Sequence, residues 1–171
     1  MHSKARFLGH PVHQMLIVFP LGLLATAVIF DVIHIIVGTP VIATVSYWMI
    51  AAGIIGGLVA APFGWIDWFY IPRGTRAKSV GLWHGLGNLL VVLLFVISWL
   101  LRRNNSEDPP TLALILSFCG AGLALVTGWL GGELVDRLGI GVDEGANVNA
   151  PSSLSSEMPH ESRGYRRTAK I

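Results

Sequence analysis

The chain has 171 residues, of which 53% are hydrophobic and 13% are charged. Soluble domains carry about 25% charged residues, so this chain has about half of the usual solvating groups. Its mean hydropathy is +0.62, and 12 Lys and Arg against 10 Asp and Glu leave a formal net charge of +2. These values exclude a disordered chain and most water-soluble domains, and so small a positive charge argues against a nucleic-acid partner.

Four apolar stretches are long enough to cross a bilayer as helices, which requires about 20 residues each. We therefore expect an all-α bundle of four transmembrane helices, with the lipid bilayer as its surroundings. The predicted spans are 12–37, 41–70, 80–101 and 112–134. They form a membrane domain over residues 1–142, and a polar tail over residues 143–171 is expected to be mobile. The sequence suggests no internal repeat.

The positions of the cations predict the orientation, because cytoplasmic loops carry an excess of Lys and Arg. In a four-span chain the N-terminus, the second loop and the C-terminus lie on one side of the membrane. Only Arg102 and Arg103 lie in the loop predicted on the other side. Both termini are therefore expected in the cytoplasm. The cations on their side are Lys4, Arg6, Arg73, Arg76, Lys78, Arg137, Arg163, Arg166, Arg167 and Lys170.

The topology brings one ionisable residue from every helix to the cytoplasmic side of the bundle. Ionisable groups are costly in a membrane and usually face the bundle interior, a cavity or a partner. The sequence therefore predicts a polar cluster at this end, although none of its members is close to another in sequence. The members, in chain order, are His13, Asp67, His84 and Glu133, with His10 close to the first.

Four further polar residues accompany this cluster. Asp31 and His34 lie at the outer end of the first span. An ideal helix places His13 and Asp31, which are 18 residues apart, on the same face and about 27 Å from each other. Asn88 shares a face with His84, and Arg137 lies four residues after Glu133, where the two can form an ion pair.

Three interpretations of the cluster remain open. The first is a structural network in which imidazoles and carboxylates pair with one another. The second is a cofactor site, because neutral imidazole binds haem iron and divalent metals. Haem b would be ligated by His13 and His84, with His10 as a substitute, whereas a divalent metal would be held by His13, Asp67, His84 and Glu133. The third is a path along which the same groups relay protons or small solutes.

Several motifs in this order resemble the bacterial membrane family known as domain of unknown function 2231, over residues 9–142. The resemblance implies a multi-pass protein of the bacterial inner membrane with four spans and no assigned activity. The motifs are Gly9-His10-Pro11-Val12-His13, then Phe19-Pro20-Leu21-Gly22 with Asp31, Gly64-Trp65-Ile66-Asp67, Trp83-His84-Gly85 with Asn88, and Gly131-Gly132-Glu133-Leu134-Val135 followed by Gly139-Ile140-Gly141-Val142.

The resemblance also implies a redox setting, because some relatives are fused to Rieske-type iron–sulfur domains. A redox partner protein is expected on this ground. Relatives often carry a Tyr and a further His after the Glu-Leu-Val element, where this chain has Asp136 and Leu138. A cofactor shared with them would therefore rely on His10, His13 and His84.

The sequence thus predicts a membrane component that binds haem or a metal ion in the polar cluster. The alternatives are a non-catalytic scaffold or subunit, or a proton or small-solute path, and enzymatic activity is left open. Small residues recur at four-residue spacing, as in Gly53 with Gly57 and Gly128 with Gly132. Such pairs favour close packing within the bundle, with a homo-oligomer as the alternative.

Overall fold

The computed structural model describes residues 1–155 as a helical bundle preceded by a short β-hairpin. Within these residues, four helical segments are long and apolar enough to span a membrane, which confirms the all-α, four-helix expectation. The elements are β1 (Arg6–Phe7), β2 (His10–Pro11), α1 (Val12–Leu16), α2 (Val18–Val37), α3 (Pro40–Tyr70), α4 (Arg76–Arg102), α5 (Thr111–Gly132) and a π-helix (Glu133–Arg137) that continues α5.

Two of the helices differ from the predicted spans. The first span is interrupted between α1 and α2. Pro20 has no N–H to donate to the Leu16 carbonyl, which accounts for a break at this point. The helix of the third predicted span, α4, is longer than predicted at both ends, and Arg102 is its last residue. The sequence-based placement of Arg102 in the outer loop is therefore wrong.

An apolar core fills the middle of the bundle. In lipid, helices associate through close packing of small residues against larger side chains. A Cβ atom at Gly53 would lie 2.6 Å from Leu24 Cδ2, and one at Gly120 would lie 2.9 Å from Phe95 Cε2. These glycines thus allow α2 to approach α3 and α4 to approach α5. The buried residues of the core are Leu24, Ala27, Ile50, Ile54, Val91 and Phe95.

The N-terminal residues and the residues after the π-helix close one end of the bundle. The Met1 amino group donates to the Gly139 carbonyl at 3.0 Å, and the Gly141 N–H donates to the Met1 carbonyl at 2.9 Å. In the polar tail, Ser153 Oγ donates to the Leu8 carbonyl at 3.0 Å. The remainder of the predicted tail, residues 156–171 with four of the cations used for orientation, lies outside the described residues.

The glycine packing predicts opposite effects at two nearby positions of α5. Gly120→Ala should lower the free energy of unfolding by about 1–3 kcal/mol, because the new methyl group overlaps the Phe95 ring. Gly122→Ala is the matched control, since nothing lies within 4 Å of its Cβ position, and it should leave stability unchanged or raise it. Unfolding of both variants in detergent micelles measures the difference. Equal stabilities would contradict this packing.

Candidate functional site

The two ends of the bundle each hold a polar site, and the first is a buried ion pair between α2 and α4. Asp31 and Arg102 are both 0% exposed. Arg102 Nη1 donates to Asp31 Oδ1 and Nη2 donates to Oδ2, each at 2.7 Å. This two-pronged geometry is the strongest arrangement of a guanidinium and a carboxylate. We call this end of the bundle the ion-pair end.

Three buried serines complete the hydrogen bonds of the ion pair. Ser46 Oγ donates to Asp31 Oδ1 at 2.6 Å, and Ser117 Oγ donates to Oδ2 at 2.9 Å. Arg102 Nε donates to Ser98 Oγ at 3.2 Å. Ser46 lies on α3 and Ser117 on α5, so the network connects all four long helices. Because both charges are paired and hydrogen-bonded in this way, they are tolerated inside an apolar bundle.

The second site lies at the opposite end, which we call the histidine end, and begins with His13 on α1. His13 Nδ1 is 3.0 Å from the Ala60 carbonyl of α3. A carbonyl only accepts, so Nδ1 must carry the proton, and Nε2 of the neutral ring then has a free lone pair. A Cβ atom at Gly64 would lie 2.9 Å from His13 Cε1. Glycine at this position therefore makes room for the ring.

His84 on α4 contacts α5 in the same way as His13 contacts α3. Its Nδ1 is 2.8 Å from the Thr127 carbonyl, and a Cβ atom at Gly131 would lie 3.1 Å from its Cε1. Asn88 Nδ2 donates to the His84 carbonyl at 2.9 Å and lies 3.3 Å from Nε2. Thr127 Oγ1 donates to Asn88 Oδ1 at 3.1 Å. The Thr127 carbonyl thus places a proton on Nδ1 of His84, as the Ala60 carbonyl does for His13.

The rings of the two histidines lie beside each other at this end of the bundle. Their ring centroids are 6.4 Å apart, and the ring planes are nearly perpendicular at 87°. They come from α1 and α4, which are far apart in sequence. The structure therefore brings together His13 and His84, as the sequence-based cofactor interpretation requires.

The two carboxylates of the predicted cluster bind other groups. Asp67 Oδ2 accepts from Ser3 Oγ and Oδ1 accepts from the Lys4 N–H, both at 2.7 Å. Asp67 thereby holds the N-terminal segment against α3. Glu133 Oε2 accepts from Arg76 Nη2 at 2.6 Å. Among residues 1–155, no three His, Cys, Asp or Glu side chains form a group that could hold a metal ion.

Three other predicted site residues lie away from the histidine pair. The expected partner of Glu133 was Arg137, but the Arg137 side chain is exposed and Arg76 forms the ion pair instead. His10 is exposed, with Nε2 3.3 Å from Ser153 Oγ. His34 Nδ1 lies 3.1 Å from the Thr39 carbonyl, so this ring stabilises the turn between α2 and α3.

Sequence reasoning missed the partner of Asp31. A single aspartate within an apolar span requires a partner, and Arg102 is a cation at the same end of the bundle. The serines of three different spans were the other signal, because each places a hydroxyl in an otherwise apolar stretch. Their relevance is clear only once the rotation of each helix is known.

The comparison with protein families gives one result for this chain. The family model described as a predicted membrane protein (DUF2231) matches residues 9–144, which agrees with the resemblance seen in the motifs. No curated protein and no solved structure matches the chain.

The polar tail begins with a charged contact outside the membrane-spanning helices. Asp143 lies 2.7 Å from His2 Nδ1, and Arg6 Nη2 donates to its second oxygen at 3.0 Å. The His2 hydrogen bond, followed by the Arg6 hydrogen bond, lowers the pKa of Asp143 from its usual value. The carboxylate form of Asp143 therefore attaches the tail to the N-terminal hairpin.

The ion pair predicts a large loss of stability when one partner is removed. Arg102→Gln leaves Asp31 buried without its cation, so the free energy of unfolding should fall by about 3–5 kcal/mol. Arg103→Gln is the matched control, because Arg103 is exposed, and it should have little effect. Denaturant titration of both variants in detergent tests this expectation. A similar stability for the two would show that the pair contributes little.

The lowered pKa of Asp143 predicts an acid-sensitive attachment of the tail. The attachment is at full strength above the ordinary pKa of aspartate, about 3.9, and is lost as the pH falls through the lowered value. Fluorescence anisotropy of a dye on Ser155→Cys, in a Cys119→Ser background, should fall on acidification. Asp143→Asn should give the low anisotropy even at neutral pH. High anisotropy of the Asn variant would contradict the proposed attachment.

Proposed function

We propose that this chain, which belongs to the DUF2231 family of predicted membrane proteins, binds one metal centre between His13 and His84 as a component of a membrane redox system. The observation that carries the proposal is the adjacent pair of imidazoles, each with Nδ1 hydrogen-bonded to a main-chain carbonyl. The centre is either haem iron or a single transition-metal ion.

The spacing of the rings supports a shared metal. Metal–imidazole bonds are about 2.0–2.1 Å long, so two imidazoles on opposite sides of one metal have ring centroids roughly 6 Å apart. The observed separation of His13 and His84 is 6.4 Å. Little movement of either helix is needed to bring the two rings to this distance.

The hydrogen bonds of the rings support the same function. Metal-binding histidines usually donate their other ring N–H to a carbonyl or carboxylate, which fixes the orientation of the ring. The carbonyls of Ala60 and Thr127 have this role here. The remaining nitrogen, Nε2, is the usual donor to zinc, copper and haem iron.

The number of available ligands favours haem over a bare ion. A zinc ion with protein ligands is almost always four-coordinate, and the carboxylates of Asp67 and Glu133 are engaged elsewhere. Haem iron takes most of its ligands from the porphyrin, so His13 and His84 alone would be sufficient to hold it. A haem with two such ligands carries electrons, which agrees with the proposed redox role.

The second candidate is a non-catalytic scaffold, and one observation favours it. The polar groups around the histidines are already paired within the protein, as in the Asn88–Thr127 hydrogen bond. A relay path receives no such support, because the apolar core separates the histidine end from the ion-pair end.

We also propose that the protein lies in the bacterial inner membrane with the histidine end in the cytoplasmic half. Burial of Arg102 in the bundle removes one cation from the opposite side, so the excess of basic residues near the N-terminus and the second loop is larger than the sequence suggested. Cytoplasmic loops of membrane proteins carry such an excess.

Spectroscopy of the full chain purified in detergent tests the proposed function. We expect a Soret band that shifts on reduction, or else one equivalent of a transition metal by elemental analysis. His13→Ala and His84→Ala should each lower the bound amount by more than about 10-fold, since even replacing a residue that only hydrogen-bonds to a metal ligand has an effect of this size. His10→Ala and His34→Ala are the controls and should retain the centre.

Two results would contradict the proposal. If the protein shows neither a Soret band nor a stoichiometric metal, the histidines have the purely structural role of the second candidate, a non-catalytic scaffold. Loss of the centre in His10→Ala to the same extent as in His13→Ala would overturn the ligand assignment.

A further inference from the structure

We infer that the chain contains two copies of one helical hairpin related by a pseudo-twofold axis, and that the metal centre lies on this axis. The first copy is α1–α3 and the second is α4–α5. The position of the centre rests on the proposed function, whereas the duplication rests on packing alone. This inference departs from the sequence-based expectation of no internal repeat.

The pattern of burial repeats between the two copies. Each buried position of α2 has a buried equivalent in α4, 71 places further along the chain, and the pairs are Leu24 with Phe95, Ala27 with Ser98 and Asp31 with Arg102. Each buried position of α5 follows a buried position of α3 by 67 places, and the pairs are Ser46 with Ala113, Ile50 with Ser117, Gly53 with Gly120 and Ala60 with Thr127.

The contacts between the helices of each copy repeat in the same register. Three kinds of contact recur between equivalent positions: a histidine bonded to a main-chain carbonyl, a large apolar side chain on a glycine, and a serine hydroxyl within hydrogen-bond distance of a main-chain carbonyl. They are His13–Ala60 and His84–Thr127, Leu24–Gly53 and Phe95–Gly120, and Ser46–Ala27 and Ser98–Ala113. The serine of the third contact lies on α3 in the first copy and on α4 in the second.

Two residues of the first copy touch their own equivalents in the second. His13 lies beside His84, and Asp31 binds Arg102. In a twofold arrangement, equivalent residues meet only at the axis. The axis therefore passes through both pairs, and α2 and α4 run in the same direction along it. Such parallel repeats, related by an axis along the membrane normal, occur in other membrane proteins.

Charge explains why the copies differ at the Asp31–Arg102 pair and are identical at the His13–His84 pair. Two identical charges facing each other at the axis would repel strongly in a buried site. One copy accordingly has Asp31 and the other has Arg102. Neutral imidazoles do not repel, and the histidine is the same in both copies. Two identical donors on opposite sides of an axis suit a single metal that binds them equally.

Exchange of the buried residues between the copies tests the duplication in the full chain. If the copies are equivalent, exchanging the residues of five equivalent pairs has the same effect as rotating the core by 180° about the axis. The packing of the core is then preserved. The apparent Tm in detergent should stay within about 4 °C of the wild type. The substitutions are Leu24→Phe, Ala27→Ser, Asp31→Arg, Ser46→Ala and Ile50→Ser, with Phe95→Leu, Ser98→Ala, Arg102→Asp, Ala113→Ser and Ser117→Ile.

The control variant exchanges Asp31 with Arg103, the residue after its true equivalent, Arg102. Asp31→Arg with Arg103→Asp has the overall composition of the wild type but places two arginines at the axis, so it should not fold. An exchange variant that unfolds as readily as this control would overturn the duplication. The stability readout needs no metal, so it decides the duplication even if the purified protein binds none.

The position of the centre is tested by the two ligand variants. On the axis, His13→Ala and His84→Ala should weaken binding of the same added metal or haem to the same extent. A loss confined to one variant would place the centre off the axis, although metal binding itself would stand.

Discussion

The buried pair of Asp31 and Arg102 is the interaction on which the arrangement of the helices depends. Neither charge is tolerated alone in an apolar bundle, so the sequence is stable only when α2 and α4 place these residues side by side. The serines extend the requirement to α3 and α5. Apolar packing against lipid has little directional preference, whereas this network permits one rotation of each helix. The polar site at one end thereby fixes how the histidines meet at the other.

The apolar core keeps the helices in these rotations along the length of the bundle. Glycines at equivalent places on α3 and α5 let one large side chain from the neighbouring helix enter each hairpin. On the other side of the break near Pro20, α1 packs against the same helix α3, where His13 lies over Gly64. On α4, Arg102 and His84 belong to one continuous helix. Both copies of the hairpin carry a charge at one end and an imidazole at the other, which explains why the two sites share an axis.

The sequence was sufficient to predict the four helices, because length and hydropathy alone determine membrane spans. It also placed His13 and His84 at one end, since that follows from the direction of each helix. The ion-pair partners of the charged residues were harder to predict from the sequence. Arg102 lies beside a polar loop and looked solvated, and Glu133 had Arg137 at helical spacing but binds Arg76. The repeat was hidden because equivalent positions share burial more than residue type, as Leu24 and Phe95 show.

The state of the two imidazoles tests the account most directly. Nitrogen NMR of histidine-labelled full-length protein in lipid bilayers distinguishes the protonated from the unprotonated ring nitrogen. We expect His13 and His84 both to carry the proton on Nδ1, to have an unprotonated Nε2, and to show a through-space contact with each other. Protonation at Nε2 in either residue, or no contact between the rings, would contradict this expectation.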